Sequence, residues 1–141
     1  MTGDEKQAQS KLISEAIGRV LDEGSVAALA TLIDASDDAS NLTVGAKLLV
    51  DESRNETCSL GDSNLSDAVA RQALKFLASR REAETSKVEA FAPELEMHSG
   101  ASVLFERIEA EPRMVIAGAG HVGASLARLA ALVGYRVTLV S

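Results

Sequence analysis

The sequence predicts an α+β domain over residues 1–110, followed by the first βαβ unit of a Rossmann-like fold over residues 111–141. The first part contains short apolar runs and two amphipathic helical patterns in mixed order, as α+β domains do. The remainder contains an apolar run, three spaced glycines, a helical pattern and a second apolar run. One βαβ pair cannot bury both faces of its own sheet. We therefore expect it to pack on the first domain or on another copy, or to continue in a longer natural chain.

Composition limits the classes of partner. With 21 acidic and 14 basic side chains the net charge is -7, which opposes binding to nucleic acid or to anionic lipid. The hydrophobic fraction of 46% supports a core, and the aromatic fraction of 3% makes that core aliphatic. We find neither an apolar run of membrane-spanning length nor an N-terminal leader pattern, and the one cysteine, Cys58, suits a reducing compartment. These features predict a cytoplasmic protein.

The N-terminal half predicts a helix and a three-stranded meander. Apolar side chains recur at helical spacing from Lys6 to Leu21, and Gly24 is a suitable stop. Short β-tolerant runs follow at 25–33, 45–50 and 57–60, separated by polar turns. The helix is expected to be amphipathic, and its recurring apolar positions are Ala8, Leu12, Ile13, Ala16, Ile17, Val20 and Leu21.

A second helix is predicted after the meander, ending near Arg80 and Arg81, and Asp62, Ser63 or Asn64 is suited to cap it. Two further strands are predicted at 87–91 and 101–108. The residues expected on the inner side of this helix are Leu65, Val69, Ala73, Phe76 and Leu77.

The glycine-rich stretch Gly118-x-Gly120-x-x-Gly123 follows the strand-length run Met114–Ala117 and opens a helical pattern. The first glycine allows a tight turn, the second leaves room for a pyrophosphate, and the third lets helix and strand pack closely. The helix N-terminus then offers N–H groups to an anion. We predict that this turn binds a cofactor through Gly118, Gly120, His121, Val122 and Gly123.

The helix after this turn is predicted to carry Val122, Leu126, Leu129, Ala130 and Val133 along one side, and to end at Gly134 before a second strand at 137–140. Ser141 stands near the place where a dinucleotide-binding unit carries an acidic residue for the ribose. A serine cannot accept two hydrogen bonds as a carboxylate does, so an unphosphorylated ribose is not specifically favoured.

The chain resembles the XdhC/CoxI family, the accessory proteins of xanthine dehydrogenase and related molybdenum hydroxylases. Ala28-Leu-Ala-Thr-Leu-Ile33 is similar to the family's first strand, and Gly45-Ala-Lys-Leu-Leu-Val50 to its Gly-Ala-Lys-Met-Leu-Val segment. Ser59-Leu-Gly61 falls where the family has Gly-Ser-Ile/Val-Gly-Gly-Gly-Cys. The most specific likeness is Gly118-Ala-Gly-His-Val-Gly123 with the helix that follows, because a histidine after the second glycine is unusual among dinucleotide folds.

The resemblance implies a chaperone that holds the molybdenum cofactor (molybdopterin), allows a cysteine desulfurase to sulfurate it, and passes it to the apo molybdenum hydroxylase. It implies a homodimer and a cofactor-insertion role rather than enzymatic turnover. It also places Gly61, Asp62, Ser63 and Asn64 at the cofactor. Asn64 stands at the family's cysteine position, and an amide is a poor substitute for a thiolate on a soft metal.

Two other functions are compatible with the residues: an NAD(P)-binding oxidoreductase that uses the glycine-rich turn, and a regulatory module whose ligand site is degenerate. For single residues, simpler interpretations stand beside the functional ones. Residues 62–64 are equally suited to a plain helix cap, Lys47 to a solvent-facing strand position, and Cys58 to a buried small side chain. His98 lies in an acidic loop, where the sequence gives it no function.

Overall fold

The computed structural model describes residues 3–35, 42–118 and 120–140. The chain forms two compact units, Met1–Glu109 and Ala110–Ser141, and each is described by itself. Helices and an antiparallel sheet in the first unit, followed by later strands, confirm the α+β prediction. None of the helices in the described ranges is long and apolar enough to cross a membrane.

The first unit consists of a five-stranded sheet with a long helix on each face. Its strands lie in the order β3-β2-β1-β5-β4, and every neighbouring pair is antiparallel. The first three strands therefore form the predicted meander. The elements in chain order are α1 Gly3–Glu23, β1 Val26–Asp34, β2 Lys47–Asp51, β3 Glu56–Thr57, α2 Ser63–Ala78, β4 Ala83–Lys87, α3 Val88–Phe91, a single 3-10 turn Glu96–His98, and β5 Ser102–Glu109.

The central strand β1 is buried on both faces of the sheet over the seven residues from Val26 to Leu32. Alternate side chains of a strand point to opposite faces, so Ala27 and Leu29 meet α1 while Ala28, Ala30 and Leu32 meet α2. A run of small and apolar residues without polar alternation is typical of a strand covered on both sides. This strand therefore holds both halves of the core together.

Helix α1 covers one face with a narrow apolar stripe, in which Ile13, Ala16 and Val20 are buried. Leu12 and Leu21, two of the apolar positions at helical spacing, are 52% and 40% exposed, and Ala8 is exposed as well. The helix is amphipathic as predicted, and these three residues stay outside the core because a helix on one face of a sheet presents only a stripe of its circumference to that sheet.

Helix α2 covers the opposite face, as predicted, with Leu65, Val69, Ala73 and Phe76 buried and Leu77 partly buried against the same cluster. The strands contribute larger side chains on this face than on the other. The Phe76 and Phe105 rings lie 5.8 Å apart, and Phe91 meets Phe105 edge-on at 6.1 Å. Most of the apolar core of the unit therefore lies between α2 and the sheet.

Two strand predictions differ from the structure. The predicted strand at 57–60 ends at Thr57, because Cys58 has a φ of 68° and a left-handed residue cannot continue the ladder. The predicted strand at 87–91 is instead the one-turn helix α3, and the edge strand β4 precedes it. The three-residue spacing of Val88 and Phe91 suits a helical turn as well as a strand, so the short apolar run did not distinguish them.

The second unit is the predicted strand-turn-helix-strand arrangement. Strand β6 (Arg113–Ala117) pairs in parallel with β7 (Arg136–Val140), and helix α4 (His121–Leu132) connects them. Gly134 adopts a φ of 95° after the helix, as a C-terminal glycine does.

Of the five apolar α4 residues along one side of the helix, only Ala130 is buried. The remaining four are exposed by 44–83%: Val122, Leu126, Leu129 and Val133. A two-stranded sheet offers too little surface to cover the whole apolar side of the helix. Packing of this unit on the first domain or on another copy stays a prediction.

Phe105→Ala should lower the free energy of unfolding by about 3–5 kcal/mol, because it removes a fully buried ring and leaves a cavity in the core. Phe91→Ala is the matched control, since Phe91 contacts the same ring but is only partly buried. Urea denaturation of the full chain measures both values. Equal losses for the two variants would contradict the deeper burial of Phe105 in this core.

Candidate functional site

The residues predicted to bind a cofactor fall into two groups, one in each compact unit. Gly61, Asp62, Ser63 and Asn64 precede and begin α2 in the first unit. In the second unit, Gly118 and Gly120 lie between β6 and α4, and His121, Val122 and Gly123 begin α4. Binding of a cofactor by either group stays a prediction.

The glycine-rich turn has the geometry that its motif requires. Gly118 adopts a φ of 109°, a left-handed conformation that side chains disfavour. A Cβ added at Gly123 would overlap the carbonyl oxygen of Gly118, so the helix and the end of the strand approach each other too closely for any other residue. At Gly120, by contrast, an added Cβ meets no atom within 4 Å. Gly118 thus allows the backbone conformation of the turn, and Gly123 allows the helix to lie close to the strand, whereas Gly120 leaves open space.

The N-terminus of α4, at the glycine-rich turn, has no side-chain cap. Gly120 occupies the N-cap position. The first N–H groups of a helix have no partner within the helix, so those of His121, Val122 and Gly123 are free to bind an anion. His121 and Val122 are exposed and border a shallow depression with Ser125, Leu126 and Leu129. Ser141, the residue at the expected ribose position, lies outside the described residues.

The loop before α2 uses its polar groups internally. Asp62 is the N-cap of α2, and its Oδ1 accepts a hydrogen bond from the Leu65 N–H at 2.9 Å. Gly61 has a φ of 96°, and its N–H donates to Ser59 Oγ at 3.1 Å. Ser66 Oγ accepts from the Leu60 N–H and lies 3.1 Å from Ser59 Oγ. The helix-cap interpretation of this stretch accounts for these contacts.

The second oxygen of Asp62 has a partner that the sequence analysis missed. His98 Nε2 lies 3.2 Å from Asp62 Oδ2, although 36 residues separate the two along the chain. His98 is only 4% exposed, and its Nδ1 is buried without a hydrogen-bond partner among the described residues. No sequence pattern links His98 to the cap of α2, because only the tertiary fold brings the two residues together.

Both contacts act on the charge of Asp62. The pKa of the Asp62 carboxyl lies below its ordinary value of 3.8, chiefly because the carboxylate accepts a hydrogen bond from the Leu65 N–H. The hydrogen bond and the charge of His98 lower this pKa further, whereas partial burial raises it. The carboxylate is therefore ionised and bonded on both oxygens at neutral pH. Any ligand contact from this loop would come from Ser63 and Asn64, whose side chains are exposed.

The remaining candidates occupy other positions. Cys58 is partly buried, its Sγ lies 3.8 Å from the Gln9 carbonyl oxygen, and burial raises the pKa of its thiol. Lys47 is half-buried rather than fully solvent-facing, and its Nζ donates to Thr31 Oγ1 at 3.0 Å. Within residues 3–35, 42–118 and 120–140, no group of three or more His, Cys, Asp or Glu side chains is placed to hold a metal ion.

Asp62→Ala should lower the free energy of unfolding by about 2 kcal/mol near neutral pH, because it removes the helix cap and leaves His98 Nε2 buried without a partner. Asp67→Ala is the control, since Asp67 lies on the same helix in exposed ion pairs worth under about 1 kcal/mol. Urea denaturation measures both variants.

The pH dependence of that loss follows from the lowered pKa. A carboxyl whose pKa is lower in the folded state stabilises the fold above its unfolded pKa, and this contribution disappears as the pH falls through the folded pKa. The difference between the unmodified chain and Asp62→Ala should therefore be constant above about pH 5 and shrink as the pH falls from about 5 to about 2. A difference that stays constant over that range would contradict the ionised cap.

Comparison with known proteins places part of the chain in a described family. Residues 20–89 match the family model described as the XdhC and CoxI family. The chain is also similar to a crystal structure described as a xanthine dehydrogenase from Bacillus halodurans, with 14% identity and a TM-score of 0.46. That similarity covers 89% of this chain and 61% of the other, so the chain spans less than two thirds of that protein. No curated protein sequence matches the chain.

Proposed function

Because the chain belongs to the XdhC and CoxI family, we propose that it is an accessory factor of a molybdenum hydroxylase related to xanthine dehydrogenase. The family match over residues 20–89 is the observation that carries the proposal. These residues include β1, β2 and the loop before α2, so the match covers the sheet centre and one of the two candidate loops. In this role the chain binds and positions its partners rather than turning over a substrate.

The cofactor that this role implies, a pterin bearing a phosphate and a molybdenum centre, fits one loop better than the other. The turn at Gly120 suits the anionic end, since it has open space, an uncapped helix N-terminus and no side-chain carboxylate. The loop at Asp62 carries a negative charge, and Asn64 offers no thiolate to a soft metal. When bound, the group would bring the redox-active metal that the hydroxylase uses.

The same proposal gives roles to individual residues of the two loops. His121 and Val122 would contact the cofactor at the start of α4, while Gly118 and Gly123 would maintain the turn that presents the N–H groups. Ser63 and Asn64 would supply the exposed contacts of the second loop. Delivery to the apo-hydroxylase, sulfuration by a cysteine desulfurase and a homodimeric state complete the proposal, and all three rest on family membership alone.

Gly120→Val should reduce transfer of the molybdenum cofactor to the apo-hydroxylase by about tenfold or more, because it fills the open space without a clash in the free protein. Gly18→Val, at a second glycine with open space around it, is the control and should leave transfer unchanged. Cofactor-transfer assays and pull-down of the apo-hydroxylase measure the two functions separately. A chain that retains neither cofactor nor apo-hydroxylase would contradict the accessory role.

A second candidate, an NAD(P)-binding protein, is favoured by the same turn, whose Gly118 and Gly123 have the conformations of a dinucleotide fingerprint. Isothermal titration with NAD⁺ and with NADP⁺ distinguishes the two. Micromolar binding of either nucleotide that Gly120→Val abolishes would favour this candidate, and we expect no such binding. A regulatory module with a degenerate site would bind neither a nucleotide nor the pterin cofactor.

A further inference from the structure

A cavity of about 220 Å³ lies in the first unit, between the N-terminal half of α1 and the segment that leads into β2. The helix contributes Lys6, Gln9, Ser10 and Ile13 to its wall, and residues 43–47 form the other side. Among the described residues that line it, two side chains are lysines and none is a carboxylate. No residue of the two loops described above is among them.

The helix face that lines the cavity changes character along α1. Ile13, Ala16 and Val20 form the buried apolar stripe against the sheet, but one and two turns earlier the same face carries Ser10 and Lys6. A sheet-facing stripe is normally apolar throughout. Polar groups that replace it at one end, beside a cavity, are typical of a binding site, because local departures from the apolar pattern cluster at functional sites.

Lys47 approaches the cavity from the sheet. It lies opposite Thr31 in the β1–β2 register, on the face that α1 covers, and its Nζ donates one hydrogen bond to Thr31 Oγ1. An ammonium group has three donors, so two stay available. The ion pairs found among the described residues include neither Lys47 nor Lys6. In a chain with a net charge of -7, two lysines on one cavity that form no ion pair among the described residues indicate an anionic ligand.

We propose that this cavity binds a small phosphate monoester, with the phosphate between Lys6 and Lys47 and an apolar body against Ile13 and Ala46. Two cations match the nearly double negative charge of a phosphate monoester better than the single charge of a carboxylate. Ile13 and Ala46 are each 5% exposed and give the cavity an apolar floor. The volume lies below the roughly 300–1,000 Å³ of sites for drug-sized molecules, so the ligand is smaller than these.

Titration of the ¹⁵N-labelled full chain with phenyl phosphate tests the proposal through amide chemical shifts. Saturable shifts are expected at Ser10, Gly45 and Ala46, and Lys6→Gln and Lys47→Gln should each weaken binding by about tenfold. Lys11→Gln is the matched control, since Lys11 is exposed on the same helix and does not line the cavity. Lys6 is exposed on the helix, so its variant keeps the test valid even if Lys47→Gln disturbs the sheet.

Inorganic phosphate and benzoate are the comparison ligands, and both should bind more weakly than phenyl phosphate. Equal binding of inorganic phosphate would overturn the apolar contact, and equal binding of benzoate would overturn the preference for a dianion. Shifts that do not saturate, or equal weakening by Lys11→Gln, would overturn the site itself. The titration involves no molybdenum enzyme or cofactor, so its failure is distinct from failure of the proposed function.

Discussion

The burial of β1 on both faces is the constraint on which the first unit depends. A strand without a solvent-facing side must be covered twice, so α1 and α2 lie on opposite faces of the sheet. Three alanines on the strand let both helices approach closely, and the larger side chains come from the helices and from the neighbouring strands. Each candidate site in the first unit therefore borders one of these two helices: the Asp62 loop begins α2, and the cavity lies beside α1.

The two faces of the sheet hold different features. On the α2 face, the segment between α3 and β5 brings His98 to the cap of α2, where the Asp62 carboxylate joins two segments far apart in sequence. On the α1 face, the apolar stripe of the helix ends at Ile13, and a cavity with two lysines lies beyond it. The Asp62 loop thus stabilises the start of α2, and its contact with a ligand stays a proposal.

The patterns that repeat along the chain allowed most of the fold to be predicted. The meander, both long helices and the strand-turn-helix-strand unit follow from apolar spacing and glycine positions, because these act within a few residues. The left-handed conformation of Cys58 and the one-turn helix after Lys87 carry no such pattern. The pairing of Asp62 with His98 and the clustering of Lys6 with Lys47 depend on tertiary structure, so the sequence alone did not indicate either of them.

The central claim is that the turn from Gly118 to Gly123 receives the anionic end of the cofactor, while the Asp62 loop maintains the fold. Hydrogen exchange of the full chain, with and without the molybdenum cofactor, tests it most directly because it reports on both loops at once. We expect the larger slowing of exchange at residues 118–124 on addition of the cofactor, and a smaller slowing at residues 61–66, where Ser63 and Asn64 are the exposed side chains. Slower exchange confined to residues 61–66 would contradict this claim.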